Sequence, residues 1–146
     1  MTVKSKLGLA ARVSAVAAVA AGLAVAVQPA ALAASPVVSV SPATGLSDGQ
    51  KVAVSASGLT PNTVFHLGQC AQVEPGKFGC DKTTSVDVVS DASGKVDSGL
   101  VVHTSFQAVT SADGPVWGTI DAKSTQTHVV LLSDTGEGGF QPITFK

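Results

Sequence analysis

Hydrophobic and polar residues alternate through most of the chain after residue 34. In the segment "KVAVSA", Val52, Val54 and Ala56 are separated by single residues. A period of two with many β-branched residues is typical of half-buried β-strands, and no later window has the 3.6-residue period of a helix. The pattern predicts strands at 37–41, 51–56, 63–71, 85–90, 98–106, 116–121, 127–132 and 142–146.

Clusters of turn-forming residues separate these segments. They include "GLSDGQ", "GLTPN", "SDASGK", "SADGP" and "SDTGEGG", in which glycine, proline, aspartate and serine favour tight turns. Seven or eight short strands at this spacing predict an all-β fold, a seven-stranded antiparallel immunoglobulin-like β-sandwich. A small closed barrel is the alternative.

The first 33 residues have the layout of a secretory signal peptide. Lys4, Lys6 and Arg12 precede an uncharged apolar run at 13–27, and Ala31 and Ala33 follow at an A-x-A spacing. This order predicts a signal peptide at 1–33 that is cleaved after Ala33. A membrane anchor is the alternative, but it needs about 20 apolar residues, more than this run provides. We therefore expect a secreted domain at 34–146 and no membrane partner.

The charge of that domain argues against direct contact with DNA. Residues 34–146 contain six lysines, no arginine and ten acidic residues, so the net charge is 6 − 10 = −4. Binding to the phosphate backbone needs clustered basic residues. There is also no G-x-S-x-G motif for a nucleophilic serine, so we expect no enzymatic activity.

Cys70 and Cys80 are the only cysteines, and three interpretations compete. A zinc site needs about four ligands, and His66, His103 and His128 lie far apart in the sequence. Redox pairs usually have the spacing C-x-x-C. In a secreted protein, paired thiols oxidise. The spacing therefore favours a disulfide across a hairpin whose turn is "EPGK", with no metal.

Several segments together resemble the neocarzinostatin family, the secreted apoproteins of enediyne chromoproteins. They are "SPATGLSDGQKVAVSASGL", "LGQCA", "SDASGK", "SF" and "WGTID", and the similarity extends over 34–145. The resemblance implies a sandwich with two ribbon-like appendages beside a cleft. It also implies a monomeric antibiotic carrier that binds an enediyne-type chromophore non-covalently. DNA would then be reached only through that chromophore.

The resemblance also assigns site residues. Cys70 and Cys80 match the first disulfide of the family. Gln72 and Ser85 stand where neocarzinostatin has a tryptophan and a phenylalanine, so we expect a wider and more polar cleft. The implied ligand-binding residues are Gln72, Phe78, Ser85, Ser111, His128 and Val130.

One segment departs from the family pattern. Between residues 121 and 129 the family has a second disulfide, whereas this chain has Ala122 and Thr127 near those places. Together with the smaller or more polar residues expected in the cleft, this departure implies either a different ligand or a cleft that has drifted and binds little. The alternative is a secreted immunoglobulin-like binding module that has lost chromophore binding.

Overall fold

The computed structural model describes residues 35–146, which form ten β-strands and no α-helix. The predicted signal peptide and its cleavage after Ala33 lie outside the described residues. The strands are β1 (Val37–Ser41), β2 (Gln50–Ser57), β3 (Val64–Glu74), β4 (Lys77–Asp81), β5 (Val86–Val89), β6 (Val96–Val102), β7 (Ser105–Val109), β8 (Val116–Asp121), β9 (Thr127–Leu132) and β10 (Gly138–Ile143).

The strands form two sheets of unequal size. One has the order β1-β2-β6, and the other has the order β10-β9-β3-β4-β7-β8, with β5 also paired to β3. Every strand pair is antiparallel. The all-β sandwich predicted from the sequence is confirmed, although the chain divides into ten strands rather than seven.

The alternating positions explain the main core. Val52 and Val54 of β2 are almost fully buried, as are Phe65 and Leu67 of β3. They pack in one cluster with residues of β6, β9 and β10. Because side chains of a strand point alternately to opposite faces, the other residues of β3 and β9 are left on the outer face of the larger sheet.

A second, smaller cluster lies under the strands that extend beyond the main core. Ala71, Phe106, Ala108 and Ile120 are buried together, and Val73 packs against them. This cluster joins β3 to the ribbon of β7 and β8. It therefore holds in place the two extensions of the larger sheet, which are the hairpin of β3 and β4 and the ribbon of β7 and β8.

Two predicted strands were placed incorrectly. The segment predicted at 98–106 is broken at His103 and Thr104, because β6 belongs to the smaller sheet and β7 to the larger one. The last strand is Gly138–Ile143 rather than 142–146, since glycines paired with β9 begin it despite their low strand propensity.

The break between β6 and β7 is fixed by hydrogen bonds to the backbone. Gln69, which is fully buried, donates from Nε2 to the His103 carbonyl at 2.8 Å and accepts from the His103 N–H at 2.7 Å. Asp48 accepts from the Thr104 N–H at 2.9 Å. These side chains hydrogen-bond to backbone groups of His103 and Thr104 that have no partner strand, which lets the chain cross between the sheets.

Within residues 35–146, no helix is long and apolar enough to cross a membrane.

Candidate ligand-binding cleft

A cleft of about 590 Å³ opens on the outer face of the larger sheet. It lies between β3, β9, β4 and β5 on one side and the loop after β7 on the other. Its lining consists of His66, Leu67, Gly68, Cys70, Phe78, Cys80, Lys82, Ser85, Val86, Asp87, Val109, Thr110, Ser111, Ala112, Val130, Leu132 and Asp134.

Gly68 of β3, which has no side chain, forms part of the floor of the cleft. Phe65 and Leu67 are buried, so alternation leaves Gly68 and Cys70 on the opposite face. The Ser85 hydroxyl lies directly above Gly68. A Cβ added to Gly68 would be only 2.6 Å from Ser85 Oγ. The glycine therefore lets Ser85 approach the sheet and shapes the floor.

The disulfide predicted from the sequence is confirmed, and it forms part of one wall. Cys70 and Cys80 lie directly opposite each other on β3 and β4, with 4.0 Å between their Cα atoms and an S–S distance of 2.03 Å. Both cysteines line the cleft. The bond ties β3 to β4 next to Phe78, the aromatic side chain of this wall.

The cleft contains four of the six predicted ligand-binding residues: Phe78, Ser85, Ser111 and Val130. Gln72 lies opposite Phe78 on the hairpin, is exposed, and is not part of the lining. His128 is half-buried on β9 and also lies outside the lining. The role of all six in ligand binding stays a prediction.

His128 instead takes part in a row of three rings beside the cleft. Its ring makes an edge contact with Phe78 at a centroid distance of 6.4 Å and with Phe140 at 5.3 Å. Burial lowers the pKa of His128, which favours the neutral ring. Phe140 was missed by sequence reasoning, because only the pairing of β10 with β9 brings it next to His128.

A charged cluster closes one end of the cleft. His66 Nδ1 lies 2.6 Å from Asp87 Oδ1, and His66 Nε2 lies 2.9 Å from Asp134 Oδ1. The hydrogen bonds to Asp134 and Asp87 raise the pKa of His66 above its ordinary value of 6.5, and partial desolvation opposes them. His66 is exposed, and its ring contacts both carboxylates.

His103 contacts a buried carboxylate at the end of β4, a hairpin strand of the larger sheet. It lies between β6 and β7, is half-buried, and its Nδ1 is 3.0 Å from Oδ2 of the fully buried Asp81. Burial alone would raise the pKa of Asp81, but hydrogen bonds from Thr83, His103 and Thr84 outweigh it and lower the pKa. This cluster anchors the end of β4 below the cleft.

Trp117 links the two extensions of the larger sheet. It lies at an irregularity of β8, is 46% exposed, and donates from Nε1 to Glu74 Oε1 at 3.3 Å. Glu74 also pairs with Lys77 across the hairpin turn. The tryptophan therefore packs at the rim and does not line the cleft.

Ala122, in the turn after β8, and Thr127, the first residue of β9, are both buried. The Ala122 N–H donates to the Thr104 carbonyl at 2.8 Å, while Thr127 Oγ1 has no hydrogen-bond partner among the described residues. Hydrogen bonds and packing thus hold this turn without a covalent cross-link.

No group of three or more His, Cys, Asp or Glu residues within 35–146 is arranged to hold a metal ion.

Comparisons with known proteins agree with this fold. Macromomycin from Streptomyces macromomyceticus is 57% identical over 135 residues, which cover 92% of this chain and 93% of the relative. The antitumor antibiotic C-1027 apoprotein from Streptomyces globisporus is 40% identical over 124 residues, covering 85% of each chain.

Solved structures give the same result. The macromomycin structure superposes with a TM-score of 0.75 at 60% identity and covers 77% of this chain and 100% of its own. The apokedarcidin solution structure reaches a TM-score of 0.62 at 38% identity with the same coverage. The model of the neocarzinostatin family matches residues 38–145. The chain therefore belongs to the neocarzinostatin family.

Proposed function

We propose that this protein is a secreted carrier whose cleft binds and protects an enediyne-type chromophore without a covalent bond. One relative is named as the apoprotein of an antitumor antibiotic, which describes the protein part of such a complex. The protein is a carrier apoprotein and not an enzyme. The observation that carries the proposal is the cleft between the disulfide hairpin and the loop around Ser111.

The size and surface of the cleft suit a small aromatic ligand. Its volume of about 590 Å³ lies within the roughly 300–1,000 Å³ of small-molecule sites. Phe78 offers a ring on one wall and Val130 an apolar surface on β9. Ser85 and Ser111 supply hydroxyl groups that could orient polar substituents. A flat, partly polar ligand fits this combination.

The chemistry of the lining suits a reactive ligand. Thiols attack electrophilic ligands, but both cysteines of the chain are joined in the disulfide. The disulfide wall thus adds rigidity without adding a nucleophilic thiol. A bound chromophore would be protected by exclusion of water and thiols from the cleft.

Antibiotic action would come from the ligand. With six lysines, no arginine and a net charge of −4 over 34–146, the domain lacks the basic surface that holds DNA. A chromophore released from the cleft would reach DNA alone. We also propose secretion with cleavage after Ala33 and a monomeric carrier.

Binding of an aromatic probe tests the proposal. A fluorescent naphthoate should bind the purified domain, and Phe78→Ala should weaken binding about three- to tenfold, because an aromatic contact contributes roughly 0.5–1.5 kcal/mol beyond burial. Trp117→Ala is the matched control, since Trp117 lies outside the lining, and it should leave affinity unchanged.

The family resemblance also supports the alternative of a module that has lost its ligand. It implies that Gln72 and Ser85 stand where neocarzinostatin has aromatic residues, which would reduce the ring surface available to a chromophore. Absence of an extractable ultraviolet-absorbing compound in protein secreted by its natural host, together with no probe binding by the folded domain, would support that alternative.

A further inference from the structure

The contacts of His66 determine its protonation state. Each ring nitrogen lies within hydrogen-bond distance of a different carboxylate, Asp87 on β5 and Asp134 after β9. A neutral imidazole has one N–H and can donate to only one of them, whereas the imidazolium donates to both. The observed geometry is therefore that of the charged ring, and the raised pKa of His66 agrees with this.

The charges of the cleft lining balance only in that state. The ionisable groups of the lining are His66, Lys82, Asp87 and Asp134. With His66 protonated, two positive charges oppose two negative ones and the sum is zero. Loss of the His66 proton leaves a net charge of −1.

No other charged group of the lining compensates for this change. β5 contributes Asp87 to the surroundings of His66, the turn after β9 contributes Asp134, and the connection between β4 and β5 contributes Lys82. β9 contributes Leu132, the uncharged partner of His66 in the ladder. The charge at this end therefore follows the protonation of His66.

We propose that His66 is the residue that sets which ligand charge the cleft accepts. When His66 is protonated, the lining is neutral and discriminates little between cationic and uncharged ligands. When His66 is neutral, the lining is negative and favours cationic ligands. The proposal rests on the carrier function proposed above, and it makes ligand preference depend on pH.

A pair of matched probes tests it: a naphthylmethyl trimethylammonium ion and uncharged naphthylmethanol. The ratio of their affinities should rise in favour of the cation by about two- to fivefold between about pH 5.5 and about pH 9, since partly exposed charge pairs are worth below about 1 kcal/mol. The quaternary probe keeps its charge at both values. Calorimetric titration measures both affinities.

Variants separate His66 from other groups. His66→Gln should give the high ratio at both pH values. Asp134→Asn should lower the ratio at the higher pH, while Asp97→Asn, on β6 and outside the lining, should leave it unchanged. His128→Gln should retain the pH dependence, because His128 does not line the cleft.

The outcomes are distinct. If both probes bind with a ratio that does not change with pH, or if the change persists in His66→Gln, this proposal is wrong and the carrier function stands. If neither probe binds the folded protein, the carrier function is wrong as well.

Discussion

At the scale of single residues, Asp81 joins the end of β4 to the crossing between the sheets. Its carboxylate has no exposed surface and accepts hydrogen bonds from the Thr83 N–H at 2.8 Å and from His103 Nδ1 at 3.0 Å. A buried carboxylate with several donors is stable only while it is ionised. Asp81 therefore makes the stability of the domain sensitive to acid.

We expect Asp81→Asn to destabilise the domain at neutral pH and to remove part of its acid sensitivity. Since the pKa of Asp81 is lowered in the folded state, its contribution is present above the unfolded value near 3.8 and is lost as pH falls through the folded value. Urea denaturation of wild type and variant at several pH values measures this. The difference in unfolding free energy should shrink below about pH 4.

Asp97→Asn is the control, because Asp97 is exposed on β6. It should not change the acid dependence. A constant difference between Asp81→Asn and wild type down to the lowest pH would contradict the role given to Asp81.

Residue patterns alone could not identify these clusters. Asp81, His103 and Gln69 each read as an ordinary polar residue of a strand or turn. Their roles arise because separate elements bring them together, 22 positions apart for Asp81 and His103 and 34 for Gln69 and His103. His66, Asp87 and Asp134 meet in the same way. By contrast, family resemblance placed Phe78, Ser85, Ser111 and Val130 at the cleft.

At the scale of elements, the hairpin of β3 and β4 is the cross-linked wall of the cleft. Reducing the Cys70–Cys80 bond should destabilise the domain by about 2.8 kcal/mol, because an eleven-residue loop regains that much chain entropy when unfolded. Denaturation with and without a reductant, with the reduced thiols alkylated, measures the change. An unchanged midpoint would contradict the estimate.

The turn between β8 and β9 has no such cross-link. Residues 122–127 should exchange their amide hydrogens faster than the hairpin between Cys70 and Cys80, because hydrogen bonds and packing restrain them without a covalent cross-link and local opening costs less. Hydrogen exchange followed by NMR compares the two segments directly. Equal or stronger protection of 122–127 would show that burial of Ala122 and Thr127 replaces the missing bond.

Strand positions were predictable where burial alternates and were missed where it does not. β2 follows the two-residue period over its whole length, and the prediction for it was correct within a residue or two. The start of β10 is marked by two glycines and an exposed Phe140, which carry no such pattern. Pairing with β9 makes this segment a strand, and a local pattern cannot reveal a distant partner.

At the scale of the whole molecule, processing and oxidation should define the secreted form. We expect protein secreted by its natural host to begin at Ala34 and to contain no free thiol. Intact-mass spectrometry should give the mass of 34–146 minus two hydrogens, and alkylation without reduction should add nothing. A different first residue would refute the cleavage prediction, and a reactive thiol would show incomplete oxidation.

In the larger sheet, alternate residues of the same strand pack in the core and line the cleft. On β9, Val129 and Leu131 belong to the main core, while Val130 and Leu132 line the cleft. On β3, Leu67 belongs to the core and Gly68 and Cys70 form the cleft surface, although Leu67 also borders it. Substitutions at cleft positions can therefore change the ligand with little effect on the core. Such a scaffold can acquire new ligands by single substitutions during evolution, and binders for other small molecules could be selected from libraries at Phe78, Ser85, Ser111 and Leu132.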